Sequence, residues 1–85
     1  MENITQPAPK FAVGDRVRVV GNGKAEDSIE HFFKIGTIGE VIAPGEYMEI
    51  FNQHIYQVQA PIWGTSNAHQ MISENDLEKV ESKEV

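Results

Sequence analysis

The sequence predicts an all-β domain, a small barrel of five short strands with a single 3₁₀ turn before the last. Three observations carry that expectation. Apolar and polar residues alternate over short runs, as in Arg16-Val17-Arg18-Val19, with the two-residue period of a half-buried strand. Turn-forming residues separate the runs at Gly14, Gly21-Asn22-Gly23, Pro44-Gly45 and Pro61. Helix signals are short, and a chain of 85 residues has room for one core only.

Residues 1–10 read as a loose arm, because they hold two prolines and few large apolar groups. Ordered structure is expected over residues 11–80, followed by a charged tail over 81–85. Phe11 is expected to plug one end of the barrel. Gly14-Asp15 turns the chain into the first strand, with Val17 and Val19 inward and Arg16 and Arg18 outward. Gly21-Asn22-Gly23 ends that strand, since glycine tolerates positive φ. A long connection, Lys24–Ile35, follows and carries Phe32 and Phe33, with room for a helical turn or two at most.

Gly36–Ile42 is the second strand. Ile38 and Val41 lie three apart, and a bulge at Gly39 would bring both into the core. After the turn Ala43-Pro44-Gly45-Glu46, the third strand is clearest over His54–Gln59, with Tyr56 and Val58 inward. Tyr47–Phe51 is either its earlier part or a separate hairpin arm. Ile62–His69 reads as a second long loop, carrying Trp63, before a short strand at Gln70-Met71-Ile72. Ser73 with Asp76 three residues on has the spacing of a capped single turn. Leu77 and Val80 then return to a core that also holds Val17, Val19, Ile35, Ile38, Val41, Tyr56, Val58 and Ile72.

Composition excludes several kinds of chemistry. There is no cysteine, so disulfides, thiolate metal sites and thiol nucleophiles are ruled out. No apolar run approaches the roughly 20 residues of a membrane-spanning helix, and the N-terminus lacks the pattern of a secretory signal, so a cytoplasmic domain is expected. Seven Lys and Arg stand against thirteen Asp and Glu, a net charge of −6. The stretch between Lys34 and Lys79 contains no basic side chain other than histidine, which leaves little to neutralise a phosphate backbone.

Val13-Gly14-Asp15-Arg16-Val17-Arg18-Val19, Gly36-Thr37-Ile38-Gly39-Glu40-Val41, Tyr56-Gln57-Val58 and Ser73–Val80 fall in the order and spacing of an SH3-like barrel. Over residues 11–80 the chain resembles the photosystem I accessory-subunit barrel, the variable chain of ferredoxin–thioredoxin reductase, the nitrile hydratase β-subunit barrel, KOW domains and small bacterial or phage modules. The resemblance implies a docking or accessory module that supports a larger partner and does no chemistry itself. KOW domains imply nucleic-acid or ribosome contacts instead, here through Arg16, Arg18, Lys24 and Lys34. This chain departs from them by inserting the Gly21–Ile35 connection between the first two strands. An acidic mimic of nucleic acid is a third reading of the charge.

His31, His54 and His69 fall in separate segments with no metal-ligand spacing, so surface histidines and no metal or other cofactor are expected. Ser28, Ser66 and Ser73 lack a nucleophile context, and Gly21-Asn22-Gly23-Lys24 lacks the glycine spacing of a phosphate loop, so no catalytic residue is assigned. The aromatic side chains remain. Phe32, Phe33, Tyr47, Phe51 and Trp63 are the candidate partner-binding residues, on loops expected to flank one another and to be rimmed by Glu30, Glu46 and Glu49. Phe33 and Trp63 are expected to be the most exposed pair. The partner is a larger protein or a second copy of the chain.

Overall fold

A computed structural model describes residues 8–63 and 66–81, with Trp63 described by its backbone alone. The described residues are all-β apart from one 3₁₀ turn, in the order β1 (Arg16–Val19), β2 (Ile38–Val41), β3 (Glu46–Met48), β4 (Gln53–Trp63), β5 (Ser66–Ser73), the 3₁₀ turn Glu74–Asp76 and β6 (Leu77–Lys79). All pairings are antiparallel, and they form one curled sheet of half-barrel shape. Most of the arm (residues 1–7) and of the tail (residues 82–85) lies outside the described residues.

β2 and β3 lie along the same edge of β4 and act as two pieces of one strand. Val41 pairs with Val58 and Glu46 with Ile55, so five residues advance on one side against three on the other. The two extra residues are taken up in the bend Ile42–Gly45. Gly45 permits that bend, because a Cβ there would stand 2.5 Å from Cε2 of the Tyr56 ring. The five-strand order expected from the sequence is therefore kept, with its second strand broken, and Tyr47 belongs to the separate arm. β6 pairs with β1 at one end of the sheet and β5 pairs with β4 at the other, and the 3₁₀ turn bridges the gap between β5 and β6.

The core contains Phe11, Val17, Val19, Phe33, Val41, Tyr56, Val58, Ala60, Ile72 and Leu77. Phe11 plugs one end as expected, its ring edge-on to Tyr56 with centroids 5.1 Å apart. Three expected core residues lie elsewhere. Ile35 is 62% exposed, because the turn closed by the Thr37 N–H on the Lys34 carbonyl points it outward and Phe33 fills the core instead. Ile38 is half-buried, and β2 has no bulge at Gly39: Arg16, Val17 and Arg18 pair in unbroken register with Glu40, Gly39 and Ile38. The inward positions are thus Gly39 and Val41. Gly39 is there for space, since a Cβ would sit 2.7 Å from both the Gln59 carbonyl oxygen and Val58 Cγ1. Val80, just past β6, is also half-buried.

The expected second loop does not form. β4 continues through Pro61 and Ile62 to Trp63, and β5 begins at Ser66, giving a hairpin with an irregularity between Pro61 and Trp63. The long connection after β1 is present and contains no helix. It is tied down by buried polar groups. The Ser73 hydroxyl, which the sequence predicts as a cap of the single turn, instead accepts the Ile29 N–H at 2.8 Å, and the 3₁₀ turn has no side-chain cap. The Gln53 amide bridges the Asp27 carbonyl and the Asn75 N–H.

Candidate functional site

The five aromatic candidates do not converge. Phe32 and Phe33 sit on the long connection beside the far end of β4, whereas Tyr47 and Phe51 flank the β3–β4 turn at its near end. Phe33, expected outside, is 5% exposed. Its neighbour Phe32 is 62% exposed and meets the Phe33 ring edge-on at 5.5 Å. Consecutive residues on an extended segment point to opposite sides, so one ring enters the core and the other faces water. Tyr47 and Phe51 are half-buried, and Tyr47 packs edge-on against His54 at 5.2 Å. The side chain of Trp63 lies outside the described residues.

An apolar cleft of ≈ 480 Å³ opens beside Phe32. Phe32, Phe33, Lys34 and Thr37 line one wall, and Pro61 and Ile62 from β4 line the other. Pro61 and Ile62 escape a sequence reading because Ala60-Pro61 looks like a strand end, yet Pro61 forfeits only an N–H at a sheet margin. Glu46 and Glu49, expected as the rim of the aromatic patch, belong to the β3–β4 turn and its strand. Glu30 is paired with Lys24 at 3.3 Å.

The expected surface histidines are surface groups in only one case. His69 is exposed, while His31 and His54 are buried. His31 Nδ1 accepts the Phe33 N–H at 3.1 Å, and Nε2 lies 2.9 Å from the Gly21 carbonyl oxygen. A neutral ring with its proton on Nε2 satisfies both contacts, so this histidine fixes the backbone that drives Phe33 inward. Asp76 of the 3₁₀ turn approaches His31 to 4.0 Å, and Glu74 of the same turn approaches His54 to 3.8 Å.

Tyr56 spans the core. Its hydroxyl donates to Glu74 and accepts the Lys10 N–H at 2.9 Å and the Phe11 N–H at 3.4 Å. Burial, reinforced by the hydrogen bond to Glu74, pushes the phenol up to about 12, although the two backbone donors pull the other way. These groups hold loops and the first described residues against the barrel. Among the described residues no group of three or more His, Asp or Glu is placed to hold a metal ion. No helix among them is long and apolar enough to cross a membrane.

Two of the four cations of the alternative nucleic-acid reading are paired with carboxylates, and Arg16 and Lys34 have no such partner among the described residues. Arg18 pairs with Glu78 and Lys24 with Glu30, and outside that set Lys79 lies 3.8 Å from Asp15. No family model matches the chain, and no curated protein or solved structure matches it significantly.

Proposed function

We propose that this domain is a non-catalytic docking module of the SH3-like barrel kind. It binds a protein, either a larger partner or a second copy, through the cleft between the long connection and the far end of β4. The observation that carries this reading is Phe32, held 62% exposed over a cleft whose opposite wall is Pro61 and the exposed Ile62. Apolar groups displayed together on a surface mark interaction sites, and aromatic anchors supply much of interface energy. Four buried polar side chains, Ser73, Tyr56, Gln53 and His31, are hydrogen-bonded to the fold itself, whereas His54 Nδ1 and Asp76 Oδ2 are buried with no hydrogen-bond partner among the described residues. A bacterial or phage setting belongs to this reading through the resemblance alone, and a cytoplasmic location is part of the same proposal.

The test is capture from a native lysate by wild-type protein, by Phe32→Asp and Ile62→Asp, and by Val13→Asp as a control on an exposed residue outside the cleft. Loss of the captured protein with the first two variants and retention with the control is the expected result. Equal recovery by wild type and Phe32→Asp overturns the site.

A further inference from the structure

The two ends of β4 carry complementary chemistry. The cleft at the far end has one cation, Lys34, and no carboxylate in its lining, on a chain of net charge −6. Lys34 has no carboxylate partner within 4 Å among the described residues. The β3–β4 turn at the near end is the reverse. Ile50 at its tip is 80% exposed, more than any other large apolar side chain among the described residues. Glu49 precedes it, Glu46 is exposed nearby, and Phe51 is half-buried beneath.

That turn is held in shape. The Phe51 N–H donates to the Met48 carbonyl at 3.1 Å, and the Asn52 N–H to the Glu49 carbonyl at 3.0 Å. Asn52 takes the left-handed conformation, with φ of 56°, and its side chain accepts the Tyr47 hydroxyl at 2.6 Å. A tip fixed in this way presents Ile50 with little further ordering, which favours binding.

We infer that the occupant of the cleft is the Ile50 turn of a second copy of this chain. Ile50 enters between Phe32 and Ile62, and Glu49 stands beside Lys34. This inference rests on the reading of the cleft as a protein-binding site and names its partner. The two patches lie ten residues apart along β4, roughly 30 Å at the rise of a strand. The contact therefore joins unlike surfaces: copies either chain head to tail, each keeping one patch for the next, or close into an antiparallel pair that uses both patches of each copy.

The test is sedimentation equilibrium of the 85-residue chain from about 10 μM to about 1 mM, the range in which small interfaces associate. The weight-average mass is expected to rise above 9.5 kDa with concentration. Ile50→Asp and Phe32→Asp each weaken association by at least about tenfold, as for central apolar anchors. An equimolar mixture of these two variants regains a one-to-one complex, because one has an intact cleft and the other an intact turn. Lys34→Glu and Glu49→Lys each weaken association, and the double exchange restores it to within about threefold of wild type. All four side chains are exposed, and circular dichroism confirms that each variant is folded.

A wild-type mass fixed at 9.5 kDa overturns the inference. So does association that survives Ile50→Asp, or a double exchange that fails to restore binding. A monomeric chain that still captures another protein in a Phe32-dependent way overturns the second copy as occupant and leaves the docking reading standing.

Discussion

Phe32 and Phe33 are neighbours of identical chemistry with opposite roles. Phe33→Ala empties a core position and is expected to cost about 3–5 kcal/mol, whereas Phe32→Ala on the surface is expected to stay within about 0.5 kcal/mol. Urea denaturation of the two variants checks this, and equal losses would contradict the assignment of faces. The sequence alone puts both rings in one exposed patch, with Phe33 expected among the most exposed, and the structure reverses that for Phe33. The reversal is made by His31 Nδ1 holding the Phe33 N–H, a contact between side chain and backbone that leaves no periodic trace. Tyr56 was legible as a core residue, and its hydroxyl has a measurable consequence. The phenol is raised from 10.0 to about 12 in the folded state, so between those values the unfolded chain has released a proton that the folded chain retains. The Tyr56 contribution to stability is therefore full below pH 10.0 and falls as pH rises towards about 12, a loss of roughly 2–3 kcal/mol across that window. Urea midpoints measured at intervals from pH 9 to pH 12 should show the fall in wild type and its absence in Tyr56→Phe.

At the scale of elements, the strands that alternate cleanly are legible in the sequence, and local signals mislead where tertiary contacts override them. Gly39 looks like a bulge in sequence, yet it is a regular inward position kept small by the approach of Val58 and Gln59. Pro61 looks like the end of a strand, yet β4 runs on to Trp63 because β5 pairs with it residue by residue on the other side. Ser73 has the type and spacing of a cap, but its hydroxyl serves Ile29, 44 residues away. No local pattern encodes a bond of that span. Ser73→Ala leaves the Ile29 N–H without its acceptor and should destabilise the domain by about 1 kcal/mol, up to about 3 if the amide stays buried. Hydrogen exchange locates the effect: the Ile29 amide should exchange faster in the variant while Tyr56 and Val58 remain protected. Uniform acceleration throughout the chain would mean that the connection is no separate unit.

For the molecule as a whole, charge and its pairing decide which macromolecules are suitable partners. The net charge is −6, and among the described residues Arg18, Lys24 and Lys79 are paired with Glu78, Glu30 and Asp15, which leaves Lys10, Arg16 and Lys34 to meet phosphates against an acidic background. Gel retardation with DNA and RNA should give no binding at about 150 mM salt, and a steep, salt-sensitive affinity would restore the KOW-like reading. The candidate site was only half legible in the sequence. Its aromatic content was visible, but the separation of Phe32 from Tyr47 and Phe51 depends on the length of β4, which the sequence understates at both ends. That length has a further consequence for how the domain comes apart. β4 has neighbours on both sides, with β2 and β3 along one edge and β5 along the other. Peeling away any single neighbour leaves it braced by the others. Partial opening should thus begin at the short outer pieces and reach the middle of this spine last, so damage near Val58 is felt everywhere while damage in β3 stays local.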